Sequence, residues 1–201
     1  MGNDDTPHEL VTAASTRDFV AGFVRSQPEP VVLVGHSMGG RVISEVADIA
    51  PDRIAGLVYV TALLPLSGSE DRLQQLPAGQ HTALSADGLS ATYDPAAAAE
   101  ILYNTTDAAE ARDAIRRLDP QPIAAMMDPI IVSEERFGRV RRAFIECTED
   151  RAIPLAFQRL MLAARPCDPV FTLETDHSPF LSAPVALADR LLSIAGVFTG
   201  G

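Results

Sequence analysis

The distribution of apolar positions along the chain falls into two regimes. Four short apolar runs, Val31 to Val34, Ile54 to Thr61, Ala143 to Cys147 and Val170 to Leu173, have the length and β-branched content of strands buried on both faces. Between them, apolar residues recur at helical spacing. Leu10, Val11, Phe19, Val20 and Phe23 predict a helix over His8 to Ser26, ended by Gln27-Pro28-Glu29-Pro30 because proline disfavours helix in the residue before it. Val42 to Ile49 predicts a second helix, and Pro51-Asp52-Arg53 a turn into the next strand. A helix opening at Pro154 runs to Leu162, and an amphipathic one spans Pro184 to Ala195. Strand, helix, strand implies a parallel pair with a right-handed crossover, so the fold class is α/β with a mostly parallel sheet and flanking helices.

From Leu66 to Pro129 the pattern changes. Strand signals vanish, Gly and Ser punctuate the start, and Ala96 to Leu102 and Ala108 to Leu118 carry helical patterns. The expected organisation is a core formed by residues 1–65 and 130–201, with 66–129 inserted as a helical cap. Leu89, Met126 and Met127 are candidates to line a pocket beneath it, although Leu and Met at helical spacing are also ordinary core residues.

The chemistry is concentrated where the first strand ends. Gly35-His36-Ser37-Met38-Gly39 fits a strand–turn–helix elbow with Ser37 at its apex. A serine hydroxyl attacks a carbonyl only when it is exposed and set beside a base, and the flanking Gly35 and Gly39 are expected to remove side chains that would collide at the turn. The Met38 N–H, at a helix N-terminus, is the expected oxyanion donor.

Residues just past the strands of a parallel sheet converge at its carboxyl edge. Ser37 follows the first strand, Asp150 the third and His177 the fourth, a Ser, Asp, His order suited to nucleophile, acid and base. Glu149 and Asp176 are competing carboxylates; Asp176 adjoins His177 and would have to fold back on it. His8, His36 and His81 are poorer candidates for the base, since His36 precedes the serine and should point away from it. Thr61-Ala62-Leu63-Leu64, after the second strand, offers no carboxylate.

Composition narrows the partners. The 201 residues are 47% hydrophobic, enough for one domain with a substantial core, and 16 basic against 27 acidic residues (formal charge -11) argue against nucleic acid. No apolar segment is long enough to span a bilayer and none follows a basic leader, so a cytoplasmic protein without membrane contact is expected. Cys147 and Cys167 fall in or beside core elements and are expected as reduced thiols. Asn104-Thr105-Thr106 matches a glycosylation sequon but reads as a loop or helix end.

Gly35-His36-Ser37-Met38-Gly39-Gly40, Pro51-Asp52-Arg53-Ile54, Cys147-Thr148-Glu149-Asp150 and Asp176-His177 together resemble the α/β-hydrolase superfamily, and within it the methylesterase and hydroxynitrile lyase group with its small bacterial esterase relatives. The resemblance covers nearly the whole chain and is weakest in the cap. It implies Ser37, Asp150 and His177 as nucleophile, acid and base, and hydrolysis of a small-molecule ester without cofactor or metal. The lyases carry a lysine after the histidine where this chain has Ser178, which favours the esterase.

Members of the group begin with two or more strands and a His-Gly loop that donates a second oxyanion N–H. Relative to them roughly 35 to 50 residues are expected to precede Met1, as in a truncated chain or a misplaced start. Val31 to Val34 would then form an exposed apolar edge that a homo-oligomer could cover, and loss of one oxyanion donor would cost about a hundredfold in rate. An impaired hydrolase that only binds a small ligand is the alternative; a hydroxynitrile lyase is the third reading.

Overall fold

Four parallel strands form the main sheet: β1 (Val31–His36), β2 (Ile54–Val60), β6 (Arg142–Cys147) and β7 (Val170–Leu173), in the order β1-β2-β6-β7. The structure is a computed structural model and describes residues 5–66, 76–128 and 130–200. Strict alternation along β2 shows why this central strand carries no charged residue. Leu57 and Tyr59 enter one core with Val46, Phe144 and Met161, while Val58 and Val60 enter the opposite core with Ile145, Leu173 and Ile194.

Helices cover both faces. α1 (Ala13–Ser26), α2 (Gly39–Ile49) and α7 (Leu155–Ala164) contribute to the first core, and α9 (Pro184–Thr199), which follows the short α8 (Pro179–Ser182), to the second. α1 starts later than the periodicity predicts. His8–Leu10 is a separate 3-10 turn, and Thr12 closes a reciprocal cap with Ser15: Ser15 N–H donates to Thr12 Oγ1 at 3.1 Å, and Thr12 N–H to Ser15 Oγ at 2.9 Å. At the other end of the chain α9 extends to Thr199, where Phe198 lies against Gly56 of β2; a Cβ there would sit 2.1 Å from the ring.

β1 pairs only with β2 among the described residues, as expected of an edge strand. Val34 is 47% exposed, whereas β2 and β6 are almost wholly buried.

The segment between β2 and β6 departs from a purely helical reading. Residues 67–75 and 129, the start and end of the expected cap, lie outside the described residues. The remainder holds α3 (Pro77–Gln80), α4 (Pro95–Leu102), α5 (Ala108–Ile115) and α6 (Ile123–Met127). It also holds an antiparallel sheet of β3 (Thr82–Leu84), β4 (Ser90–Tyr93) and β5 (Gln121–Pro122). Strands this short show no alternation to read, and the hairpin joining them is set by side-chain chemistry. The Asp87 carboxylate accepts from Ser85 Oγ and the Leu89 N–H, and Gly88 takes φ 73°, a left-handed turn suited to glycine. Asp94 and Asp107 cap α4 and α5. Of the residues expected to line a pocket, Leu89 and Met127 are 38% and 45% exposed and Met126 is half-buried.

The tight glycines at the elbow are also not the expected pair. A Cβ on Gly35 would meet the Gly39 carbonyl oxygen at 2.7 Å, and one on Gly40 would meet the Leu63 carbonyl oxygen at 2.4 Å, whereas a Cβ on Gly39 would meet nothing within 4 Å. Gly39, in the pentapeptide, is sterically dispensable; Gly40, outside it, allows α2 to approach the end of β2. Gly40→Ala should therefore lower stability by about 3 kcal/mol, while Gly39→Ala should be neutral or stabilising by up to about 1 kcal/mol. Urea unfolding midpoints of the two variants check this.

Candidate active site

β1 delivers Ser37 at φ 54°, a left-handed conformation uncommon for a non-glycine residue and one that is held by its neighbours. Ser37 N–H donates to Val60 O at 3.3 Å, extending the β1–β2 ladder past the end of the strand. The Ser37 carbonyl accepts from Leu63 N–H at 3.0 Å and Gly40 N–H at 3.2 Å. With its backbone saturated this way, the residue presents its side chain at the sheet's carboxyl edge. The Met38 N–H makes no hydrogen bond among the described residues.

Two other loops meet it there. His177 follows β7, and its Nε2 lies 2.8 Å from Ser37 Oγ; its Nδ1 lies 2.7 Å from Asp150 Oδ2, in the turn after β6. The residues picked out at three distant points of the sequence form one hydrogen-bonded line. Asp150 is buried and fully engaged: its Oδ1 accepts the Ala152 and Ile153 N–H groups at 2.7 and 2.8 Å, and its Oδ2 accepts the Thr61 hydroxyl as well as His177. The Asp150 carboxylate thus faces donors on both oxygens.

The competing carboxylates are occupied elsewhere. Glu149 is exposed, with Thr148 Oγ1 at 3.3 Å from its side chain. Asp176 is buried and points away from the imidazole. Its Oδ2 accepts the N–H groups of Thr105 and Thr106 and the Thr106 hydroxyl, and its Oδ1 accepts Ser178 N–H and Ser182 Oγ, all at 2.8–3.0 Å. It therefore clamps the loop between α4 and α5 to the His177 turn. Burial alone would raise the Asp176 pKa, but these donors outweigh it and hold it below the ordinary carboxyl value. Asn104, of the sequon, donates from Nδ2 to Glu149 O in the same junction.

His36 is not remote from the site, as its position before Ser37 suggests. It avoids the nucleophile but reaches the base, with Nε2 2.6 Å from His177 O and ring centroids 4.7 Å apart. Burial, and next the nearby His177, lower its pKa to about 3, so it stays neutral and donates its proton to that carbonyl. Sequence reasoning missed three supporting residues, His36, Thr61 and Asp176 as a clamp, because each acts through a contact made only when distant loops meet. His81 is exposed and His8 half-buried, and both are distinct from the site's hydrogen bonds.

Cys147 and Cys167 are free thiols, and burial pushes both up to about 12. No group of His, Cys, Asp and Glu among the described residues is arranged to hold a metal, and no described helix is long and apolar enough to cross a membrane.

A model of the alpha/beta hydrolase family matches residues 1–190. Methylesterase 7 of Arabidopsis thaliana is 32% identical over 185 residues, covering 85% of this chain and 71% of that protein. Putative methylesterase 11, chloroplastic, of the same plant is 30% identical over 183 residues; the match covers 84% of this chain but only 47% of the relative, so the chain spans about half that protein's length. A crystal structure of a pyrethroid hydrolase from Sphingobium faniae superposes with a TM-score of 0.83 at 26% identity, over 97% of this chain and 83% of the other.

The Asp176 clamp yields a pH prediction. A carboxyl whose folded pKa is depressed adds stability that is present above its unfolded value and is lost as pH falls through the folded one. Asp176→Asn, which places an NH2 against one set of N–H donors, should destabilise the protein by about 2–4 kcal/mol at neutral pH. The gap to the parent should narrow as pH falls below about 4. Thermal unfolding followed from pH 7 to pH 3 measures both.

Proposed function

The chain belongs to the alpha/beta hydrolase family, and on that premise we propose that it hydrolyses small-molecule carboxylic esters through a Ser37-His177-Asp150 triad. The observation that carries the reading is the continuous line from Ser37 Oγ to His177 Nε2 at 2.8 Å and from His177 Nδ1 to Asp150 Oδ2 at 2.7 Å. The methylesterase names of the relatives support the ester as substrate class.

In this reading Ser37 Oγ attacks the ester carbonyl while its proton passes to His177 Nε2. Asp150, accepting Nδ1–H, fixes the tautomer in which Nε2 is a free base and then stabilises the imidazolium. The negative charge that develops on the carbonyl oxygen is met by the unspent Met38 N–H. Collapse of the tetrahedral intermediate breaks the bond to the alkoxy group, which leaves as the alcohol with the proton from His177. Water then attacks the Ser37 acyl ester with His177 again the base, releasing the carboxylic acid and restoring the hydroxyl.

The segment 76–128 serves as a cap in this scheme, joined to the base loop through the Asp176 clamp. Ser178, the neighbour of the base, is buried and donates its N–H to Asp176, so the position supplies no cation to steady a cyanide leaving group. That favours hydrolysis over cyanohydrin cleavage.

Hydrolysis of p-nitrophenyl acetate should fall by about ten-thousandfold or more in Ser37→Ala. A fluorophosphonate should label the parent at Ser37 and leave the variant untouched. Equal rates in both proteins would remove Ser37 as nucleophile, and saturable ligand binding without labelling would establish a non-catalytic binding protein instead.

A further inference from the structure

Thr61, which follows β2, is fully buried and takes φ 37°, a left-handed backbone that β-branched residues rarely adopt. Apart from Ser37 it is the one non-glycine residue with positive φ among those described. The conformation is imposed by the sheet: Thr61 N–H donates to Ile145 O at 2.8 Å, and two residues later Leu63 N–H holds the Ser37 carbonyl. A buried threonine hydroxyl ordinarily bonds a nearby backbone carbonyl. Here it donates to Asp150 Oδ2, the same oxygen that accepts His177 Nδ1.

Resting on the triad reading above, we infer that Thr61 is a positioning residue that sets the basicity and orientation of Asp150 and, through it, the protonation of His177. The main-chain donors of Ala152 and Ile153 occupy only the other carboxylate oxygen. Thr61 alone among side chains shares Oδ2 with the imidazole, so it limits how strongly that oxygen draws the Nδ1 proton. Its loss leaves a more basic carboxylate, free to turn about its own side-chain bonds, and a more easily protonated imidazole. The other titratable groups facing this pair do not change with the substitution. His36 lies against the His177 ring and stays neutral through burial, Tyr93 and Cys147 are held in their protonated forms, and Asp176 is bound by its own donors.

Thr61→Val removes the donor at nearly constant shape, Thr61→Ser keeps it, and Thr61→Ala replaces Thr61→Val should that variant fail to fold. Two readouts are taken on each: a 15N NMR titration of the His177 imidazole without substrate, assigned with His177→Gln, and the pH dependence of p-nitrophenyl acetate hydrolysis. In Thr61→Val the His177 pKa and the acidic limb of kcat/KM should move up by about one unit. kcat should fall about tenfold with KM changed by less than about twofold, the pattern of an interaction acting on the chemical step. Thr61→Ser should return both to the parent values. A folded Thr61→Val with an unchanged His177 titration and acidic limb overturns the proposal, as does a loss of stability in all variants with no shift in either. Failure of the triad reading is distinguishable, since it is seen as equal hydrolysis by the parent and Ser37→Ala and leaves the substrate-free titration intact.

Discussion

The contact on which the site depends is the close approach of α2 to the end of β2. Gly40 has no side chain where the Leu63 carbonyl passes, and the Ser37 carbonyl takes the Leu63 N–H in return. This seam fixes the left-handed turn at Ser37 against the sheet rather than leaving it to the intrinsic preference of serine, which disfavours it. It also binds two consecutive strand ends into one unit, so the serine after β1 and the threonine after β2 are placed by the same packing. A positive φ at both positions is the local strain that the seam sustains.

From that seam the site is built outward through hydrogen bonds to charge. Asp150 and Asp176 are both buried carboxylates beside the same histidine loop, and both are surrounded by donors, yet they do different work. One faces the imidazole; the other ties the loop to the segment between α4 and α5. Burying an unpaired carboxylate is costly, so each demands its set of N–H and O–H partners, and those partners lie on separate elements. The carboxylates therefore act as the joints between loops. On the proposed reading, the precision of the triad and the attachment of the cap are two results of one requirement.

The strand edge sets the other boundary. β1 carries the elbow yet pairs on one side only among the described residues, and Val34 is half open to solvent. Among the described residues, the contacts that hold the elbow come from β2, α2 and the Leu63 loop. This explains why so much of its geometry traces to Val60, Leu63 and Gly40.

The sequence by itself determined the parallel sheet and the three loops at its carboxyl edge. Apolar runs buried on both faces are distinctive, and the chain direction of a parallel sheet puts every following loop at the same end. Ser37, Asp150 and His177 were legible for that reason. Other features were decided by tertiary structure alone. Strands β3 to β5 are too short for periodicity to register; Gly40 rather than Gly39 is the constrained glycine because the constraint is a carbonyl of a distant loop; and His36 is engaged because His177 arrives beside it. Position along the chain favours Asp150 over Asp176 as the partner of His177, but it shows neither the donors each carboxylate meets nor any role for Thr61. What separates them is which donors three loops bring within 3 Å of each oxygen, and that depends on how the loops pack together rather than on the residues adjacent in the chain.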